Sequence, residues 1–96
     1  MKMLMVLVPS DCLPDVQEVM DRHEIHAYTE FPNVLGSGKS GRKLGTRAFP
    51  GTSSLLLAVL AAGEADRLVA AVREYSDRAS CGAEIRIFAV PAEAAL

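Results

Sequence analysis

Three features of the sequence predict an α+β fold: a ferredoxin-like β-α-β-β-α-β plan, antiparallel sheet order 4-1-3-2, with two helices on one face. Two short segments, Met3 to Val8 and the LLLAVLAA within Ser53 to Ala62, are continuously apolar, as strands covered on both faces are. Two others alternate apolar with polar residues, the mark of a half-exposed strand. Two more repeat apolar residues every three or four positions, the mark of a helix with one buried stripe. The plan puts the first and third strands at the centre of the sheet, and those are the two continuously apolar runs.

Each element has its own signals. The first strand ends at Pro9-Ser10-Asp11, where Ser10 or Asp11 can cap a helix whose first turn tolerates Pro14. Leu13, Val16, Met20 and His23 then share one helix face. Ile25, Ala27, Thr29 and Phe31 alternate with His26, Tyr28 and Glu30, and Pro32 predicts an irregular or unpaired far end. The third strand stops at Gly63. Glu64 to Ala79 is the clearest helix, striped by Ala65, Leu68, Val72, Tyr75 and Ala79, with acids at its N-terminus. Ser80-Cys81-Gly82 ends it, and Glu84 to Val90 alternates again before Pro91.

The whole chain, residues 1–96, reads as one domain with a flexible glycine-rich basic loop at 36–52. From Gly36 to Gly51 the loop holds five of seven glycines, together with Lys39, Arg42, Lys43 and Arg47. So much glycine disfavours helix or strand, and no acid occurs from Phe31 through Gly63, so the loop suits a phosphate or carboxylate. A net charge of -2 argues against nucleic acid as a partner. No apolar run reaches the roughly 20 residues a membrane helix needs. The opening MKMLMVLVP lacks a cleavage site and is broken by proline, so it reads as a strand of a cytoplasmic protein. GSGKSG is not a Walker loop, because Asn33 stands where the first glycine belongs and no helix can follow. The topology gathers the loop, the start of the first helix and the Ser80-Cys81-Gly82 turn at one end of the sheet, where a helix N-terminus also favours anions.

LPDVQEVM at Leu13–Met20, IHAYTEFPNVLGSGK at Ile25–Lys39 and RIFAV at Arg86–Val90 resemble the first helix, the second strand with its loop entry, and the last strand of the PII signalling proteins. The resemblance implies a homotrimer that binds an adenine nucleotide (ATP, ADP or AMP) or a small carboxylate between subunits. It also implies nitrogen regulation and a T-loop that docks on a target protein, a membrane transporter among the candidates. By position, Gly36, Gly38 and Lys39 would face phosphates at the loop base, Arg86 would take the place of the basic residue after the family's second loop, and Thr29 would lie near the adenine. Gly82, Arg42, Lys43 and Arg47 complete the ligand-binding set. Three departures stand out: Ala83-Glu84-Ile85 replaces the Gly-x-Gly before the basic residue, the loop is short and without tyrosine, and PAEAAL carries none of the C-terminal arginines.

Cys12 and Cys81 fall at the same end, as two small, partly buried residues or as a redox or soft-metal pair. The metal reading is the alternative function, a metal-responsive trimer akin to the CutA proteins. His23 and His26 read as surface residues of a turn. No catalytic constellation converges, and PSDCLP does not resemble an acylphosphatase loop, so a non-enzymatic protein is expected, with no required cofactor.

Overall fold

A computed structural model of the chain describes residues 1–38, 41–43 and 52–96. Its elements are β1 (Lys2–Pro9), α1 (Leu13–Arg22), β2 (Thr29–Val34), β3 (Gly36–Gly38), β4 (Gly41–Lys43), β5 (Ser53–Leu60), α2 (Ala62–Arg78) and β6 (Arg86–Pro91). The main sheet runs β2-β5-β1-β6, antiparallel throughout. With the four long strands numbered in chain order, this is 4-1-3-2, the expected arrangement. β3 and β4 form a separate two-stranded ribbon inside the loop, pairing Gly36 with Lys43 and Ser37 with Arg42. The loop's glycines therefore do not exclude strand: a ribbon this short satisfies its backbone groups without needing side chains to pack.

One sheet face is packed and the other is not. Leu4, Val6, Val8, Leu56, Ala58 and Leu60 point toward the helices and are buried with Val16, Met20, Leu68 and Val72. Met3, Met5, Leu7, Leu55 and Leu57 point the opposite way and are half-buried. Cover on both faces, as continuous apolarity predicts, is thus met on one face within a single chain.

Local chemistry moved several boundaries. Ser10 does not cap α1. Its hydroxyl is taken by Ser54 (3.0 Å) and Thr52 (2.7 Å), and a 3-10 turn over Ser10–Cys12 leads into the helix instead. The second strand begins at Thr29 rather than Ile25, because Ile25 is buried closing the end of α1. Its amide donates to the Met20 carbonyl (2.9 Å) and that of Glu24 to Asp21 (3.0 Å), with Glu24 left-handed at φ 59°. This is a Schellman ending with glutamate where glycine is usual. Gly63 lies inside the first turn of α2, where its amide needs no intrahelical partner, and the third strand stops earlier, at Leu60. Pro32 does mark an irregularity: the register shifts between Phe31 and Val34, with Asn33 at φ 54°.

Candidate effector site

At the end of the sheet where β1 finishes and β6 starts, four polar side chains form a small network under the loop. The Thr52 hydroxyl donates to Ser10 Oγ and lies 3.0 Å from Asn33 Oδ1, while Ser54, 1% exposed, shares a hydrogen bond with Ser10 and accepts the Asn33 amide at 3.4 Å. Ser10 also donates its backbone N–H to the Thr52 carbonyl at 3.0 Å. Asn33, just before the loop, and Thr52, at its exit, are thereby fixed to Ser54 of β5 and to Ser10 at the end of β1. Sequence reasoning missed this network. Its signal was Thr52-Ser53-Ser54 opening an otherwise apolar strand.

The opposite edge is built around the turn after α2. Gly82 is buried, and a Cβ built on it would stand 2.6 Å from the Ser76 carbonyl carbon and closer still to its oxygen. Glycine is needed there so that the turn can lie against the end of α2. Cys12 and Cys81 are joined by a disulfide with Cα atoms 6.8 Å apart, which ties this turn to the start of α1. Their sulfurs bind each other rather than a metal, and among the described residues no group of three or more His, Cys, Asp or Glu could hold one. Beside the bond, the Tyr75 hydroxyl donates to Asp15 Oδ2 (2.9 Å) and sits 3.8 Å from Cys81 Sγ. Burial, then the hydrogen bond and negative charge of Asp15, push the Tyr75 hydroxyl above the usual tyrosine range. Arg86 opens β6 and is exposed, its Nη1 donating to the carbonyls of Ala83 (2.6 Å) and Ile85 (2.9 Å).

Register places the sequence-expected residues on the sheet. One row across the open face reads Phe31, Leu55, Leu7, Arg86, and the next reads Thr29, Leu57, Met5, Phe88. Arg86 and Thr29 therefore share the open face but stand on opposite edge strands. Three strand spacings separate those edges, about 14 Å, so one phosphate cannot touch both within a single chain. Gly36 and Gly38 lie in β3, which follows β2 after Leu35, and Arg42 and Lys43 lie in β4. Lys39 and Arg47 fall outside the described residues. His23 and His26 sit in the turn after α1, both exposed, with His26 Nδ1 3.0 Å from Asp21 Oδ1.

No family model matches the chain, and no curated protein matches its sequence. Solved structures do match its fold, and that fold is PII-like: a ferredoxin-like sheet with two helices on one face. CPII, a nitrogen regulatory PII-like protein from Thiomonas intermedia K12, bound to ADP, AMP and bicarbonate, matches with TM-score 0.72 at 16% identity over 93% of this chain and 82% of that one. The same protein with ADP and bicarbonate gives TM-score 0.72 at 17% identity over 93% and 82%. Its apo form gives 0.68 at 15% over 93% and 85%.

Proposed function

We propose that this chain is a PII-like, non-enzymatic cytoplasmic regulator. Its homotrimer binds an adenine nucleotide or a small carboxylate such as bicarbonate between subunits, and the 36–52 loop reports occupancy to a target protein. The observation that carries this reading is the open apolar sheet face with Arg86 at one edge and the loop base at the other. A neighbouring copy whose β6 edge approaches this chain's β2 edge would bring Arg86 to the loop base and cover Phe31, Val59 and Phe88, which are 44%, 49% and 58% exposed in one chain. Backbone amides of the glycine-rich entry, with Lys39, would then meet phosphate from one side and the Arg86 guanidinium from the other. The nucleotides and bicarbonate found in the CPII structures support this choice of effector.

A thermal-shift series with ATP, ADP, AMP, bicarbonate, 2-oxoglutarate and divalent metals tests it. A ligand at a hundred times its Kd adds about 2.7 kcal/mol to native stability. A nucleotide shift that Arg86→Ala and Lys39→Ala each remove is the expected result. A shift with metals alone would replace this reading with a metal-responsive one.

A further inference from the structure

We propose that the Cys12–Cys81 disulfide is a reversible thiol switch that sets effector affinity, an inference that rests on the nucleotide-binding reading above. The bond joins two short turns rather than two core elements. Cys12 closes the 3-10 turn Ser10–Cys12, whose Ser10 holds Thr52 at the exit of the loop. Cys81 opens the 3-10 turn Gly82–Glu84, and Arg86 rests its guanidinium on the Ala83 and Ile85 carbonyls of that same segment. One covalent bond therefore fixes the Arg86 turn against the structure that anchors the loop base, on the two flanks where the site takes its effector.

Two observations make this bond a switch rather than a permanent staple. Both cysteines are half-buried and pack at the margin of the core cluster rather than inside it. A second link, Tyr75 to Asp15, joins α2 to α1 independently of sulfur. Opening the disulfide thus removes the covalent tie between the turn and the start of α1, while the helices stay docked and Gly82 keeps its seat on α2. That behaviour fits the cytoplasmic setting of the proposed function, where disulfides are as a rule transient and redox-sensing.

The reductant is a dithiol. One of its thiolates attacks a sulfur of the pair, forming a mixed disulfide and expelling the other cysteine as a thiolate, which takes up a proton. The second thiol of the reductant then closes its own disulfide and releases the remaining cysteine. Two electrons pass from dithiol to protein, and oxidation of the two thiols by a small disulfide reverses the step.

With the bond closed, both flanks are held in place before the effector arrives. With it open, the turn keeps its seat on α2 but is no longer tied to the start of α1, and binding must restore that alignment. ADP titration by calorimetry of oxidised protein and of protein reduced with dithiothreitol is the test, with mass spectrometry counting thiols. Reduced protein should bind ADP roughly five- to tenfold more weakly, a coupling of ordinary allosteric size. Cys12→Ser/Cys81→Ser should match the reduced form whatever the redox buffer. Reciprocally, saturating ADP should make the bond harder to reduce by the same factor. Equal affinity in both redox states would overturn the switch and leave the nucleotide reading intact, as would a bond that dithiothreitol does not open in folded protein. No ADP binding in either state would overturn both.

Discussion

Gly82→Ala tests how tightly the Arg86 turn is seated. The added methyl would meet Ser76 backbone, its carbon at 2.6 Å and its Cα at 3.0 Å, and backbone in the last turn of a helix cannot rotate aside as a side chain can. To reach ordinary carbon–carbon contact near 3.5 Å, the turn must retreat by about 1 Å or more. Overpacking of this kind costs about 1–3 kcal/mol. For a domain of this length that lowers Tm by about 5–20 °C. Urea denaturation of oxidised protein, followed by circular dichroism, reads the midpoint, and an unchanged m-value assigns the shift to the folded state. Gly36→Ala is the matched control. Nothing lies within 4 Å of its built Cβ, so the expected effect runs from neutral to about 1 kcal/mol stabilising. A loss below about 0.5 kcal/mol for Gly82→Ala, no larger than an ordinary surface change, would refute the close seating.

The other predictions concern polar groups and the open sheet face. Ser54→Ala removes a buried hydroxyl and strands its partners on Ser10 and Asn33, at a cost of about 1–3 kcal/mol in urea denaturation. Hydrogen exchange at Asn33 and Thr52 should accelerate with it. Tyr75→Phe addresses alkaline stability. The fold raises the tyrosine above its usual pKa, so its contribution is complete below about pH 10 and is lost as pH climbs toward the raised value. The phenylalanine variant should therefore be less stable at pH 8 and lose less between pH 10 and 11; parallel curves for the two proteins would refute it. Phe88→Lys puts a charge on the open face, on its β6 edge strand. Light scattering should find wild type at three times the 10.3-kDa chain mass and the variant at one, whereas a monomeric wild type would remove the basis for an inter-subunit site.

The order of elements was legible because residue periodicity reports burial directly. Met3–Val8 and Ser53–Leu60 are apolar on both faces and are the two central strands. What periodicity does not state is which chain supplies the cover, so the open face became visible only with the register. Boundaries failed where one side chain had a better offer than the expected one. Ser10 left the helix cap for Ser54 and Thr52, and Ile25 left the strand to close α1. Topology brought Cys12 and Cys81 to one end of the sheet, but only coordinates could bring their Cα atoms to 6.8 Å. Arg86 was legible as a charge at a strand start. Its attachment to the Ala83 and Ile85 carbonyls was not, because backbone acceptors carry no sequence signal.

The half-buried row of Met5 and Leu57 bears on how tolerance to substitution should be mapped across this chain. Scored by exposure in one copy, such positions fall with the surface, where polar replacements are expected to be harmless. If the face is a contact between copies, they will instead tolerate change as poorly as Leu4 and Leu56 behind them, and the forbidden positions will run unbroken along both central strands. Tolerance would then lose its period along β1 and β5, whose helix-facing positions are already buried.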